Sequence, residues 1–339
     1  MKLKSLSYLE LPPTADFHCH LRQEAMMELC APLVKNGGCD TVYVMPNLQP
    51  PITQVSEAIS YHERLSRLAP DVTFLMSLFL HPGLNAAIIA EAARTGIIYG
   101  VKLYPAGVTT NSQGGVIDIE KYYPVFKAME ANGLVLNLHG EAVSSPPAAF
   151  AEADGAKAVT VLNAETTFLP QLYNLHAAFP KLSIVLEHVS TREGLEAVRR
   201  CGPTVAGSIT AHHLWMTVDD WCADVFSFCK PVAKKGAGAT AAGCFTQPWC
   251  SALVIGALEE AIDQGWVREE EVTREYIEGF LSGYGREFYK IPRTAEGPRI
   301  RLERRGEIIP EAVSSQDGSI TVVPFGRGKE VLSLSWTRS

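Results

Sequence analysis

Seven short apolar runs, most of them followed by a segment of helical spacing, dominate the first two-thirds of the sequence. They lie at Ala15–Arg22, Thr41–Met45, Val72–Leu80, Ile97–Tyr104, Leu134–Leu138, Leu182–Leu186 and Thr204–Thr210. The runs are continuous rather than alternating, which predicts parallel strands covered on both faces. Between them, helical spacing runs over Glu24–Asn36, from Thr53 to about Ala69, over Asn85–Gly96 and Ile119–Asn132, within Thr166–Phe179, and from Thr191 to Arg200. Thr53, Asn85 and Thr191 are placed to cap helices, and Gly37-Gly38 and Gly133 to end them. Strand plus helix recurs every ~30 residues, the unit of a (β/α)8 TIM-type barrel. A doubly wound open sheet is the competing α/β arrangement, but no Gly-rich dinucleotide fingerprint follows the first strand.

Composition narrows the function classes. With 339 residues, 47% hydrophobic and 20% charged, the chain has the make-up of a soluble globular protein. A formal charge of −7 and the absence of a dense Lys/Arg run argue against nucleic acid as the partner. The eight cysteines form no CxxC pair, which predicts reduced thiols in a cytoplasmic protein rather than a disulfide framework or a zinc knuckle. No stretch reaches the ~20 apolar residues of a membrane span, and Met1–Leu11 does not read as a signal peptide. A single domain over 1–339 is expected, with a barrel core over about 12–294 and a C-terminal β appendage over about 295–339. Gln247–Gly265 and Glu269–Leu281 read as helices, and Arg299–Ile309, Ile320–Pro324 and Val331–Trp336 as strand-like pieces.

The conspicuous polar residues fall at or near strand ends: His18, His20, Arg22, Asn47, Lys102, His139 and His188. In a barrel these ends converge on one mouth, where active sites lie. His18 and His20 share a strand face, as half of a metal site does. Arg22 extends that face with a planar cation suited to an anionic substrate. Partly buried histidines with backbone partners are the bland alternative, but such residues would not track strand ends. Lys102 interrupts an apolar strand, and a buried lysine is costly unless paired or neutralised. Either its stem lies along apolar surface with the ammonium in water, or the amine takes up carbon dioxide as a carbamate able to bridge two metals. His81 is expected to cap, His213 to support the site from behind, and His62 and His176 to lie on helix surfaces.

The combination Asp16-Phe-His-Cys-His-Leu-Arg22, Val44-Met-Pro-Asn47, Val101-Lys-Leu-Tyr-Pro105 with Thr109-Thr110-Asn111, Leu138-His-Gly-Glu141, Glu187-His188 and Ala242-Gly-Cys-Phe245 resembles the dihydroorotases of the shorter, single-function type. The resemblance runs from about Ala15 to the C-terminus and places the chain in the cyclic amidohydrolase group of metal-dependent barrels. It implies that His18 and His20 bind one zinc, that His139 and His188 bind a second, and that Lys102 bridges them as a carbamate. It further implies that Arg22 and Asn47 hold the carboxylate of dihydroorotate and that His139 borders the substrate. Thr109 and Thr110 would lie in a loop that closes over the ring, and the backbone at Lys230 and Ala242 would touch it. The implied reaction is the reversible interconversion of dihydroorotate and N-carbamoyl-aspartate in pyrimidine synthesis, carried out by a homodimer.

The chain departs from that pattern in one place. The family's acid–base aspartate ends the eighth strand, in a Ser/Thr-Asp-Ser-Ala-Pro-His segment, and no such segment occurs here. Pro231-Val-Ala-Lys-Lys235 runs directly into Gly236-Ala-Gly-Ala-Thr-Ala-Ala242, so about one barrel unit of ~30 residues is missing. No catalytic residue of that kind is found, and Asp219, Asp220 and Asp224 match no role. The barrel is therefore expected to be incomplete, with unpaired edges on its first and seventh strands and strain or disorder over 231–245. Two other functions compete: an inactive barrel that binds metal or a partner subunit, and another cyclic amidase acting on a hydantoin or ureide.

Overall fold

The structure is a computed structural model that describes residues 2–109, 111–145, 158–217, 219–220, 244–292 and 297–337. Seven parallel strands form one curled sheet: β2 (Thr14–Cys19), β3 (Cys39–Val44), β4 (Thr73–Phe79), β5 (Ile98–Leu103), β6 (Val135–His139), β7 (Ile184–Glu187) and β8 (Val205–Gly207). They neighbour one another in chain order, as the strand–helix repeat predicts. The connecting helices are α1 (Glu24–Cys30), α2 (Val55–Leu68), α3 (Ala86–Arg94), α4 (Tyr123–Asn132), α5 (Ala164–Ala178) and α6 (Arg192–Cys201). Their apolar faces meet the outer face of the sheet, where Val34, Leu65, Ile89, Phe126 and Leu172 form one core with Val42, Leu78, Leu136 and Leu186. Inside the sheet lies a smaller cluster of Tyr43, Met45, Leu75, Val135, Val185 and Tyr289.

Local chemistry sets most element ends. The Asn85 side chain accepts from the Ala87 and Ile88 amides, and Thr191 accepts from Gly194. Gly133 ends α4 in the left-handed region at φ 70°. Four expectations shift. The helix predicted over Glu24–Asn36 is α-helical to Cys30 and continues as a 3-10 segment, Ala31–Gly37, because Pro32 has no N–H to continue the α ladder. Gln54 rather than Thr53 caps α2; Thr53 instead donates to the Glu57 carboxylate, which also accepts from the Gln54 amide. Glu269–Leu281 is not one helix: Thr273 caps α8 (Arg274–Glu278), a π-helical turn follows over Gly279–Gly283, and α9 (Tyr284–Phe288) completes the run. The helix expected from Gln247 is α7 (Cys250–Asp263), after one 3-10 turn.

The last part of the chain and residues 8–11 together form a three-stranded antiparallel sheet, β1 (Tyr8–Leu11), β9 (Arg299–Ile308) and β12 (Glu330–Thr337), beside a small pair, β10 (Val313–Ser314) and β11 (Thr321–Val322). Tyr8 pairs with Glu303 and Leu11 with Ile300, so the start of the chain is a strand of the terminal sheet, a pairing its sequence did not signal.

Among the described residues, β2 and β8 each have a neighbour on one side only. This is the incomplete barrel that the sequence predicts. A cavity of about 810 Å³ runs along this opening and up to the strand ends. The strain expected over 231–245 falls largely outside the described residues.

Candidate active site

The strand ends bring the polar set together. His18 sits near the end of β2 and His20 just beyond it, yet their Nε2 atoms are 3.2 Å apart. The His18 ring also meets His188, with centroids 4.9 Å apart, and His188 meets His139 at 4.7 Å. Four histidines from β2, β6 and β7 thus form one contiguous array that lines the cavity with Arg22, Asn47, Tyr104 and Thr109. Arg22 has φ 61°, and its carbonyl accepts the Tyr61 hydroxyl at 2.5 Å, which fixes the chain after His20. The Asn47 carbonyl accepts from Asn111 at 3.1 Å, tying the loop after β5 to the end of β3. Thr110, Lys230 and Ala242 lie outside the described residues.

Lys102 has no exposed surface, which excludes a solvated ammonium. Its Nζ meets the equally buried Glu187 carboxylate and lies 4.9 Å from the centre of the Tyr104 ring. Glu187 is the hub of the floor: Asn137 donates to its Oε1 at 2.9 Å, and His18 Nδ1 lies 3.1 Å from the same oxygen. Asn137 also donates to the Tyr289 hydroxyl at 2.6 Å. Glu141 lies against His139, Oε2 to Nε2, at 2.6 Å. The Tyr104 hydroxyl is buried and has no hydrogen-bond partner among the described residues.

Electrostatics suit a cation. Burial holds His18 and His20 well below the usual imidazole range, reinforced by Lys102 at His18 and by Arg22 and Lys102 at His20. The rings are therefore neutral and carry lone pairs, as metal ligands must. The 3.2 Å separation of the two Nε2 atoms is close to the edge of a tetrahedron with Zn–N bonds of about 2.0–2.1 Å. His18, Glu187 and His188 each offer a ligand atom, all within 4.8 Å of one another. The donor set, two imidazoles and a carboxylate, fits a divalent ion.

Sequence reasoning did not give roles to Glu187, Glu141, Asn137, Tyr104 or Tyr289. Both glutamates adjoin candidate ligands, in His139-Gly-Glu141 and Glu187-His188, and a carboxylate beside a ligand imidazole is a recognisable signal. Tyr289 arrives from a distant helix and carried none. His213 binds Thr210 Oγ1 through Nδ1 at 2.6 Å and lines the cavity, while His81 Nδ1 accepts from Gly83 and caps its turn.

A curled parallel sheet with this histidine-rich rim defines a metal-dependent barrel hydrolase of the amidohydrolase kind. The chain is 40% identical to a probable dihydroorotase of Schizosaccharomyces pombe over 362 residues, covering 97% of this chain and 99% of the relative. It is similar to a solved dihydroorotase of Saccharomyces cerevisiae in complex with 5-fluoroorotic acid, with a TM-score of 0.87 and 35% identity over 98% of this chain and 100% of that one. A dihydroorotase structure from Campylobacter jejuni follows at a TM-score of 0.78 and 28% identity, covering 98% of each chain. No protein-family model matches the chain. The chain belongs to the dihydroorotase family. The 362-residue alignment is longer than the 339-residue chain, so the S. pombe relative carries residues with no counterpart here.

Proposed function

We propose that this chain interconverts dihydroorotate and N-carbamoyl-aspartate in de novo pyrimidine biosynthesis, at a site of two zinc ions bridged by carbamylated Lys102. The observation that carries the reading is the unbroken array His20–His18–His188–His139. In this reading His18 and His20 hold one ion and His139 and His188 the other. Bound divalent metal would supply Lewis acidity toward the ring amide and a nucleophile at neutral pH.

The protein's own groups do the rest. Arg22 offers a forked cation and Asn47 an amide to the substrate carboxylate, which selects a carboxylate-bearing ring over a plain hydantoin or ureide. Thr109 lines the cavity from the loop after β5, and the resemblance would give it and Thr110 the role of closing over the ring. Lys230 and Ala242 would approach it through their backbone. The missing step is proton transfer: an acid–base group must pass a proton to the leaving amide nitrogen, and the family's aspartate is absent from the sequence. Turnover is therefore expected ~10²–10⁴-fold below that of relatives that carry it. The reading further places the protein in the cytoplasm as a homodimer.

That same missing segment favours a second reading, in which the barrel binds metal or a partner subunit without turnover. Assay of the purified chain with dihydroorotate, N-carbamoyl-aspartate and a hydantoin, alongside metal analysis, separates the readings. Slow turnover confined to the carboxylate substrates supports the first. About two metals per chain with zero turnover supports the second.

A further inference from the structure

Gly37 and Gly38 precede β3, and the turn that starts at Gln247 packs directly onto them. A Cβ at Gly37 would lie 2.0 Å from the Gln247 carbonyl oxygen and 2.8 Å from Cys250 Sγ, so only glycine admits this approach. The approach brings together two thiols that stand 211 residues apart in the sequence. Cys39, the first residue of β3, and Cys250, the first of α7, meet with their Sγ atoms 3.5 Å apart. Both line the cavity at the open edge, Cys39 buried and Cys250 half-buried.

The polar groups around the pair do not depend on its protons. Ser251 Oγ donates to the Gly37 carbonyl, which also accepts from the Cys250 thiol at 3.4 Å. With the Ser251 proton used there, Thr14 donates to Ser251 at 3.1 Å, and the Cys39 thiol donates to Thr14 Oγ1 at 3.2 Å. Gln247 Nε2 lies 3.7 Å from Cys39 Sγ and donates to Asp16 at 3.1 Å. If both thiol protons leave, Ser251 still serves Gly37, Thr14 still serves Ser251 and Gln247 still serves Asp16. No buried carbonyl or amide is stranded. An S–S bond of about 2.05 Å asks the sulfurs to close by roughly 1.5 Å from where they stand.

We propose that Cys39 and Cys250 form a reversible oxidation site, at which a peroxide makes an intrachain disulfide that staples β3 to α7 beside the open edge. Cys250 Sγ attacks one peroxide oxygen, the O–O bond breaks, and water leaves with the thiol proton, so that Cys250 becomes a sulfenic acid. Cys39 Sγ then attacks that sulfur, the S–O bond breaks, and a second water leaves with the Cys39 proton. Two thiols are oxidised and one peroxide is reduced to two waters. The hydrogen bond to Cys39, together with burial, holds the Cys250 thiol well above its usual range, so attack is slow at neutral pH and the resting pair stays reduced. The link closes a loop over most of the chain, where cross-linking restrains the unfolded state most. It also fastens the weakly held edge: Cys39 pairs in register with Thr14 of β2, and Gln247, three residues before Cys250, holds Asp16 of the same strand.

The test exposes the full chain, reduced and then freed of reductant, to hydrogen peroxide under native conditions. Remaining thiols are alkylated, and chymotryptic cleavage at Phe245 and Trp249 separates Cys250 from Cys244, which lines the same cavity. Mass spectrometry then shows which sulfurs are joined. The parent is expected to lose two hydrogens, to yield a peptide pair linked through Cys39 and Cys250, and to gain roughly 5–10 °C in thermal midpoint, all reversed by dithiothreitol. Cys39→Ser and Cys250→Ser are each expected to abolish the link and the gain, and Cys244→Ser to keep both. If a serine variant does not fold, the linked peptide of the parent decides. Absence of that peptide overturns the proposal, as does a link through Cys244 or another thiol, or Cys250 ending as a sulfinic acid. A Cys39–Cys250 link with an unchanged midpoint overturns the staple.

Discussion

From β4 to β7 every strand is flanked on both sides, and Leu78, Leu136, Leu138 and Leu186 have no exposed surface. At β2 and β8 the half-buried Asp16, Phe17, Ala206 and Ile209 line the long cavity instead. The closed wall carries Lys102, His139 and Glu187, whose neighbours are fixed by strand register: Lys102 pairs with Asn137 and His139 with Glu187. The open edge carries His18 and His20, whose strand leans on distant pieces. Phe17 stacks on Tyr289 with centroids 4.9 Å apart, and Asp16 accepts from Gln247 at 3.1 Å. One half of the rim is thus held by its own sheet and the other by elements from the C-terminal third. The edge is also where the sequence lacks a barrel unit, so the missing chemistry and the missing packing share one location.

The strongest way to break the contrast is to close the edge. Inserting the eighth-strand unit of a dihydroorotase relative between Lys235 and Gly236 is expected to raise turnover ~10²–10⁴-fold, measured by dihydroorotate hydrolysis. A gain below tenfold would show that the aspartate is not what limits this chain.

The wall is best probed at its buried ion pair. Lys102→Met alone strands the Glu187 carboxylate and should cost about 3–5 kcal/mol in the metal-free protein. The double change Lys102→Met with Glu187→Leu should recover most of that loss, because a buried pair replaced by apolar groups is often neutral or stabilising. Denaturant titration of both variants decides, and equal losses would contradict the pairing.

Packing gives a smaller contrast. Leu136→Ala in the wall should cost about 2–5 kcal/mol, the range for a truncated core leucine. Ile209→Ala at the edge should cost less than about 1 kcal/mol, because its neighbours already border a cavity. Urea midpoints check both, and equal shifts would erase the distinction.

The finest contrast is the sign of the pH response of the metal-free protein. Buried His18 and His20 titrate well below 6.5, so the unfolded chain binds more protons just below that pH, and their contribution to stability falls as pH drops from about 6.5. Burial pushes Asp16 up from 3.8 to about 6, against the hydrogen bonds from His18 and Gln247. Its folded form therefore binds more protons between those values, and its contribution falls as pH rises through about 6. Asp16→Asn should remove the second slope and leave the first. Thermal midpoints from pH 4 to 8, a range spanning about two units on either side of 6, would show it.

Much of this was legible in the chain. Uninterrupted apolar runs placed all seven strands of the parallel sheet, because doubly covered strands need no polar face. The histidines could be assigned to one rim because strand ends in such a sheet point one way. The floor was less legible: Glu187 and Glu141 stood inside quoted motifs, but nothing in spacing says which neighbour a buried acid will face. Tyr289 and β1 were silent, since both act through partners more than a hundred residues away. Breaks inside predicted helices came from single residues, Pro32 in one case and the Thr273 cap in another.

The pairing of Tyr8–Leu11 with Ile300–Glu303 means that this strand, once synthesised, waits for a partner far along the chain. The histidine-bearing β2 follows it directly and also leans on Tyr289. Chains cut before about residue 290 would therefore carry the wall of the barrel without Tyr289 against Phe17, and the histidine-bearing edge would be the last part of the rim to settle.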